Sequence, residues 1–333
     1  LKKTQIAING FGRIGRNLFR LLLNHPSIEV VAINDIADNK TMAHLLKYDS
    51  IHGVLPNIVS HDENSVLVDG KPYFFFHEKD IRNLDWKSHD IDFVVESTGK
   101  YKTYEEIYQH IEAGAKRIIL SAPAEVENIK TVVLGVNEHI LDGSELIISN
   151  ASCTTNNAAP MIKVIQELCG IEQAYITTVH SYTTDQSLHD QPHKDLRRAR
   201  GASQSIVPTT TGAAKALTKI FPELDGKMGG CGIRVPVPDG SLTDITFNVK
   251  REVSIEEINT AFQKAAENQL KGILAYTEDP IVSVDILGNR NSCLFDSQLT
   301  SVIDKMVKVV GWYDNEIGYS SRIIDLITLI DKK

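Results

Sequence analysis

One of the four cysteines stands apart by its neighbours. Cys153 lies in Ser149-Asn150-Ala151-Ser152-Cys153-Thr154-Thr155-Asn156-Asn157, after a short apolar run and before a helical pattern. A thiol at a helix N-terminus faces amide N–H groups and a partial positive charge, which favour the nucleophilic thiolate. Asn150 or Ser152 is placed to cap that helix. An isolated cysteine is more often a packing residue, but a core thiol seldom sits among serine, threonine and asparagine. Cys169, Cys231 and Cys293 lack such surroundings and read as packing residues. No C-x-x-C pair occurs, so neither zinc nor a redox dithiol is expected. A thiol nucleophile needs a base. His180 ends the apolar run Ala174–Val179 and opens a long polar stretch, where catalytic side chains tend to collect. With eleven histidines in the chain, a plain strand-end histidine is the competing reading.

A second signal is Asn9-Gly10-Phe11-Gly12-Arg13-Ile14-Gly15, a G-x-G-x-x-G between a strand-like run and an amphipathic helix. In that setting Gly10 permits a tight turn, Gly12 lets a pyrophosphate approach the backbone and Gly15 lets helix and strand pack closely. The helix N-terminus offers N–H groups to phosphate. Asp35 follows a second apolar run at the spacing expected of a carboxylate that binds both ribose hydroxyls of NAD. The same charge would repel the 2′-phosphate of NADP. The competing reading makes Asp35 a helix cap and the glycines a turn.

These residues need elements to hold them. Apolar runs recur at Ile6–Ile8, Val30–Ile33, Phe93–Val95, Ile118–Leu120, Val132–Leu134 and Leu146–Ile148. They suit parallel strands buried on both faces. Helical patterns fall between several of them, one from Ile14 to Leu22 and one from Tyr104 to Ala113. The alternation predicts a Rossmann-type doubly wound parallel sheet. Asp69-Gly70, between Val66–Val68 and Tyr73–Phe76, predicts a hairpin inserted there. Beyond Ser149 the pattern changes to α+β on a mainly antiparallel sheet. Strands are expected at Ala174–His180, Gly232–Val237, Ser241–Arg251, Val282–Ile286 and Lys308–Trp312, and helices over 212–220, 254–269 and 317–330. Pro160 should bend the helix after Cys153 if it falls past the first turn. The polar stretch from His180 to Gly201 is long for a loop, and such loops are often functional. The expected division is a cofactor domain over 1–150, a catalytic domain over 151–316, and a last helix over 317–333 returning to the first.

The 333 residues carry a net charge of −8. The one dense basic stretch, Lys194–Arg200, fits a local anion site or a solvated loop, not the broad basic surface of a nucleic-acid protein. No apolar run reaches the ~18 residues of a membrane span. The opening residues show no apolar signal-peptide core, so reduced thiols in a cytoplasm are expected.

The segments Asn9–Gly15, Ala151–Asn156, His180–Arg200, Pro208–Lys215, Arg234–Asp239 and Trp312–Tyr319 resemble, in order and over essentially the whole chain, those of the glyceraldehyde-3-phosphate dehydrogenase family. The string Ser152–Asn156 is highly specific to it and its near relatives. The resemblance implies Cys153 as nucleophile and His180 as base. It implies Thr183 and Arg234 on the substrate phosphate, Arg197 serving the anion sites, and Ser152, Thr154, Thr211 and Gly212 on attacking inorganic phosphate. For NAD it implies contacts from Arg13, Ile14, Asp35, Thr98, Ser121 and Asn315, with Lys79 at the adenine end and Tyr319 near the nicotinamide. The implied substrates are glyceraldehyde 3-phosphate and inorganic phosphate, and the implied assembly is a homotetramer. Two departures stand out. Asn157 replaces the second cysteine that members usually carry, and Gln191 replaces a common leucine before Pro192. The alternatives are a sister enzyme acting on erythrose 4-phosphate and, from another class, a nucleic-acid or surface-binding protein on the same scaffold.

Overall fold

The structure, a computed structural model, describes residues 2–332; Leu1 and Lys333, the ends of the expected first domain and last helix, lie outside the described residues. The chain forms two units. Of the described residues, the first takes in those up to Val132, His139–Ala151 and those from Ser320; the second is Val133–Glu138 with Ser152–Tyr319.

The first unit contains β1 (Thr4–Asn9), α1 (Arg13–Leu22), β2 (Ile28–Asn34), α2 (Asn39–Lys47), β3 (Tyr48–Asp49), β4 (Gly53–Val54), β5 (Val59–His61), β6 (Ser65–Val68), β7 (Lys71–Phe76), β8 (Phe93–Glu96), α3 (Tyr104–Glu112), β9 (Arg117–Leu120), β10 (Lys130–Thr131) and β11 (Ile147–Ser149). Apart from the β3–β4 pair, these strands form one sheet in the order β10-β11-β9-β8-β1-β2-β7-β6-β5. It is parallel from β10 through β7, and its interior strands are apolar on both faces because helices cover them. The chain runs outward from β1 through β2, then returns to lay β8 on the other side of β1. The crevice at the ends of β1 and β8 is therefore the switch point where such sheets bind ligands. The Asp69-Gly70 hairpin forms as expected: both residues have positive φ, 50° and 80°, which suits a tight turn between twisted strands. It is not a separate insertion, since β7 also pairs in parallel with β2. A capping box between Thr103 and Glu106 starts α3.

The second unit contains α4 (Cys153–Cys169), β12 (Ile171–Ser181), β13 (Val207–Thr209), α5 (Ala213–Ile220), β14 (Met228–Val235), β15 (Ser241–Val249), α6 (Ile255–Glu267), β16 (Leu274–Thr277), β17 (Cys293–Asp296), β18 (Ser301–Ile303), β19 (Met306–Tyr313) and the start of α7 (Ile317–Asp331). Its sheet runs β13-β14-β12-β15-β19-β17-β16, with β18 on β19. Most pairings are antiparallel; β12–β14 and β16–β17 are parallel. Helix α4 packs on this sheet at Gly311 of β19. A Cβ there would lie 2.6 Å from Cys293 Sγ and 2.8 Å from Met161 Sδ, so only glycine admits this approach. The stacked rings of Phe262 and Phe295, 3.8 Å apart, join α6 to the same core. The part of α7 from Ser320 groups with the first unit, where the Thr4 hydroxyl donates to the Asp331 carboxylate at 2.8 Å.

Two expected strands are absent in the expected form. Val132–Leu134 lies just past β10, whose two residues are all that pairs there. Val282–Ile286 instead holds a 3-10 turn at Ser283–Ile286, with the Asp285 carboxylate accepting from the Val282 N–H. Its apolar alternation is real, but Val282 and Val284 are exposed. Helix α4 continues through Pro160 from Cys153 to Cys169.

Candidate active site

The turn into α4 is unusual from its first residue. Ala151 has φ 55° and is fully buried, a conformation costly for a residue with a side chain. Ser152 is the N-cap of α4, its Oγ accepting from the Thr155 N–H at 3.1 Å. Cys153 is the first helical residue. Its Sγ lies 3.4 Å from Nε2 of His180, the next-to-last residue of β12.

The tautomer of His180 follows from its other nitrogen. Nδ1 is 2.8 Å from the carbonyl oxygen of Ser181, which can only accept, so Nδ1 carries the proton. Nε2 then presents a lone pair to the thiol, which is what a base needs. Arg234 sits beside His180 because β14 pairs with β12 in that register. Its Nη1 donates to the Ser181 carbonyl at 3.0 Å and to Thr183 Oγ1 at 3.2 Å. Burial, then the Arg234 charge, pushes the His180 imidazole down to about 3. Burial pushes the Cys153 thiol up, against the pull of Arg234 and of the Thr154 amide and hydroxyl. The resting pair is thus neutral thiol and neutral imidazole. Moving one proton across the contact makes an ion pair, in which each charge offsets the desolvation of the other.

Thr154 and Thr178 are bridged by the Tyr313 hydroxyl at 2.9 and 3.0 Å, and the Tyr313 ring meets His180 edge-on. Tyr313 was not singled out by sequence reasoning. Nor was Arg198. It is Arg198, not Arg197, whose charge reaches both His180 and Arg234; it is held by Thr209 and Asp185, while Arg197 is exposed. Thr211 accepts from the Ala213 N–H through its hydroxyl at 3.2 Å, and Gly212 is the N-cap of α5. Asn315 accepts from the hydroxyls of Ser181 and Ser241. Tyr319 is buried in the first turn of α7. Asn157, in place of the usual cysteine, donates from Nδ2 to the carbonyls of Ser292 and Trp312 at 3.2 Å each, tying α4 to β19.

In the first unit, a cleft of about 280 Å³ opens at the switch point, lined by Gly10, Gly12, Asp35, Lys79 and Thr98 among others. Gly10 has φ 95°, and a Cβ there would lie 2.7 Å from the Thr98 nitrogen. A Cβ on Gly15 would meet the Gly10 carbonyl oxygen at 2.2 Å, whereas one on Gly12 would meet nothing within 4 Å. Gly12 is also the N-cap of α1 and offers no side-chain cap. Arg13, followed by Ile14, opens this helix, and its Nη1 pairs with the Asp49 carboxylate at 2.6 Å. Burial raises that carboxyl, but the Arg13 bond and the amides of His52 and Ile51 outweigh it, to about 2. The Asp35 carboxylate accepts from the Phe11 N–H at 2.8 Å and the Ala37 N–H at 3.0 Å, each oxygen keeping acceptor capacity for a hydroxyl. Ser121 Oγ is buried without a hydrogen-bond partner among the described residues. Open space at Gly12, an uncapped helix mouth and an acceptor at Asp35 together fit a dinucleotide.

A family model described as the NAD binding domain of glyceraldehyde 3-phosphate dehydrogenase matches residues 4–104, and one described as the C-terminal domain of that enzyme matches residues 152–315. The chain is 54% identical over 331 residues to the glyceraldehyde-3-phosphate dehydrogenase of Geobacillus stearothermophilus, covering 99% of this chain and 98% of that one. It is 53% identical over 329 residues to glyceraldehyde-3-phosphate dehydrogenase 2 of Streptomyces avermitilis, covering 98% of each. With glyceraldehyde-3-phosphate dehydrogenase 1 of Bacillus subtilis it shares 51% over 331 residues, covering 99% of this chain and 98% of that one.

Proposed function

The chain belongs to the glyceraldehyde-3-phosphate dehydrogenase family, and on that footing we propose that it oxidises D-glyceraldehyde 3-phosphate with NAD and inorganic phosphate to 1,3-bisphosphoglycerate through a thioester on Cys153. The observation that carries this reading is Nε2 of His180 at 3.4 Å from Cys153 Sγ, with the ring's other nitrogen bonded to the Ser181 carbonyl.

Cys153 Sγ attacks the aldehyde carbon while its proton passes to His180 Nε2. The oxygen of the tetrahedral adduct gains charge, which the Cys153 amide at the mouth of α4 and the protonated imidazole stabilise. Bound NAD supplies the acceptor for the hydride that this carbon loses as the thioester forms. Phosphate oxygen then attacks the thioester carbonyl, the C–S bond breaks, and the acyl phosphate leaves as Cys153 regains a proton. Dividing oxidation from acyl transfer replaces one hard step by two easier ones.

Arg234 and Thr183 hold the substrate's own phosphate; their mutual hydrogen bond beside His180 supports that role. Ser152, Thr154, Thr211 and Gly212 receive the attacking phosphate, with a loop arginine adding charge. Two helix mouths, of α4 and α5, supply amide donors suited to an anion. Gly10, Gly12, Arg13, Ile14, Gly15, Asp35, Lys79, Thr98 and Ser121 bind NAD, joined by Asn315 and Tyr319. The Asp35 charge favours NAD over NADP.

The enzyme works as a homotetramer in the cytoplasm. Leu188 and Leu196 on the polar loop and Ile206 just past it are 65, 81 and 69% exposed, and such apolar surface suits a subunit contact. No described helix is long and apolar enough to cross a membrane.

The test is reduction of NAD and of NADP by glyceraldehyde 3-phosphate, each with and without phosphate, with erythrose 4-phosphate in parallel. Phosphate-dependent turnover of the triose, lost in Cys153→Ser, is expected. Full activity in Cys153→Ser would sink the assignment, and phosphate-independent preference for the tetrose would transfer it to the sister enzyme.

A further inference from the structure

Beneath the nucleotide crevice lies a polar chain that the proposed chemistry does not use. Glu96, at the end of β8, is 1% exposed, and His110, on α3, is 0% exposed. The Trp86 indole N–H donates to His110 Nδ1 at 3.0 Å, and His110 Nε2 lies 3.0 Å from Glu96 Oε2. An indole only donates, so Nδ1 must be the acceptor and Nε2 must carry the proton toward the carboxylate. Trp86 therefore selects the one tautomer in which His110 can bond Glu96.

The carboxylate passes that constraint to the crevice. Glu96 Oε1 accepts from the Thr98 N–H at 2.8 Å and from the Thr98 hydroxyl. Glu96 Oε2 accepts from Asn9 Nδ2 at 2.5 Å. Asn9, at the end of β1, accepts in turn from Asn34 Nδ2 at 2.7 Å, and Asn34 Oδ1 accepts from the Glu78 N–H at 2.9 Å. One carboxylate thus ties the ends of β1, β2 and β8 on the floor of the cleft, where Gly10 is packed against the Ser97–Thr98 backbone. A merely structural buried carboxylate needs donors, but it does not need two of them, Asn9 and Thr98, to be residues that line the cleft.

We propose that Trp86, His110 and Glu96 form a positioning device for the nucleotide crevice, setting the approach of Thr98 to Gly10 and hence the affinity for NAD. This rests on the reading of the crevice as the NAD site. None of the three residues touches the reacting atoms, so the device acts on cofactor binding and leaves the thiol chemistry alone.

The experiment measures NAD binding by calorimetry on the full-length protein, beside thermal unfolding and steady-state kinetics. In His110→Phe, which keeps a ring but removes both bonds, the Kd for NAD is expected to rise about tenfold, the scale of one lost hydrogen bond to a charged group. Turnover at saturating NAD and the KM for aldehyde should stay near wild type. His110→Gln, whose amide can both donate to Glu96 and accept from Trp86, should restore most of the affinity. Nitrogen chemical shifts of the His110 ring should place the proton on Nε2. If His110→Phe does not fold, Trp86→Phe decides, with a rise of a few-fold expected. Folded variants that melt earlier yet bind NAD like wild type, or a ring protonated on Nδ1 alone, would overturn the proposal. A wild-type protein that fails to bind NAD instead strikes the reading of the crevice itself.

Discussion

His180 and Arg234 converge on one acceptor: Nδ1 of the imidazole and Nη1 of the guanidinium both point at the Ser181 carbonyl oxygen, and the two nitrogens are 3.2 Å apart. Both are donors, so the contact is repulsive and holds the imidazole neutral. In Arg234→Leu that push disappears, and the acid limb of kcat/KM should move to higher pH. The KM for the phosphorylated aldehyde should rise by at least tenfold, as expected for a lost charged contact to phosphate. A pH–rate profile checks both. An unmoved acid limb would mean that burial alone sets His180.

The same depressed imidazole makes stability depend on pH. The folded pKa is about 3 against an ordinary 6.5, so between these values the unfolded chain binds a proton that the folded one does not. Stability should therefore fall as pH drops through this window, by up to about 1.4 kcal/mol per pH unit from this group. Denaturant titrations at pH 4 and pH 7 should show a smaller difference in His180→Gln than in wild type.

Asp239 has the opposite sign. Burial, Asp314 and Glu316 push its carboxyl up to about 9, so the folded chain keeps a proton that the unfolded chain loses above pH 4. Its contribution is complete below the unfolded value and is lost as pH rises toward 9. Asp239→Asn mimics the protonated acid and should gain Tm over wild type progressively from pH 5 to pH 8. A gain that shrinks with rising pH would refute this charge assignment.

Two glycines of the same motif, Gly12 and Gly15, three residues apart, should fail differently. In Gly15→Ala the new methyl meets the Gly10 carbonyl, and stability should fall by about 1–3 kcal/mol. In Gly12→Ala the methyl enters open space on an ordinary backbone, so Tm should hold while NAD binding weakens. Calorimetry with and without NAD separates the two. Equal losses of Tm would contradict the different roles of these positions.

Tyr313→Phe should cost about 1–2 kcal/mol of stability through the loss of one hydroxyl serving Thr154 and Thr178. Because that hydroxyl braces the residue after Cys153, kcat should also fall by a few-fold. Urea unfolding and initial rates measure the two effects, and an unchanged kcat would reduce Tyr313 to a packing role.

The residues that local chemistry marks were legible in the sequence. Gly10, Gly12 and Gly15 announce themselves by spacing, Asp69-Gly70 by turn chemistry, and Cys153 by polar neighbours at a strand-to-helix junction. The partners that arrive from elsewhere in the chain were not. Tyr313 meets Thr154 across 159 residues and Glu96 meets Asn9 across 87, and no local pattern encodes such meetings. Arg198 and Arg197 are adjacent in a basic run, so only the path of the loop decides which one faces inward. Val282–Ile286 misled because alternation describes a strand only when one face finds a core.

The bare backbone of Gly311 has a consequence for how finely the nucleophile is aimed. Met161 lies eight residues along α4 from Cys153, or about 12 Å at the rise of an α-helix. The helix is seated sulfur to backbone at its middle and carries the reactive sulfur at its N-terminal end. It behaves as a lever with its fulcrum on β19. A single methyl at position 311 would lift the seat, and the tilt would be felt at the 3.4 Å gap between Cys153 and His180. The aim of the nucleophile, and not only the stability of the fold, therefore depends on the missing side chain at position 311.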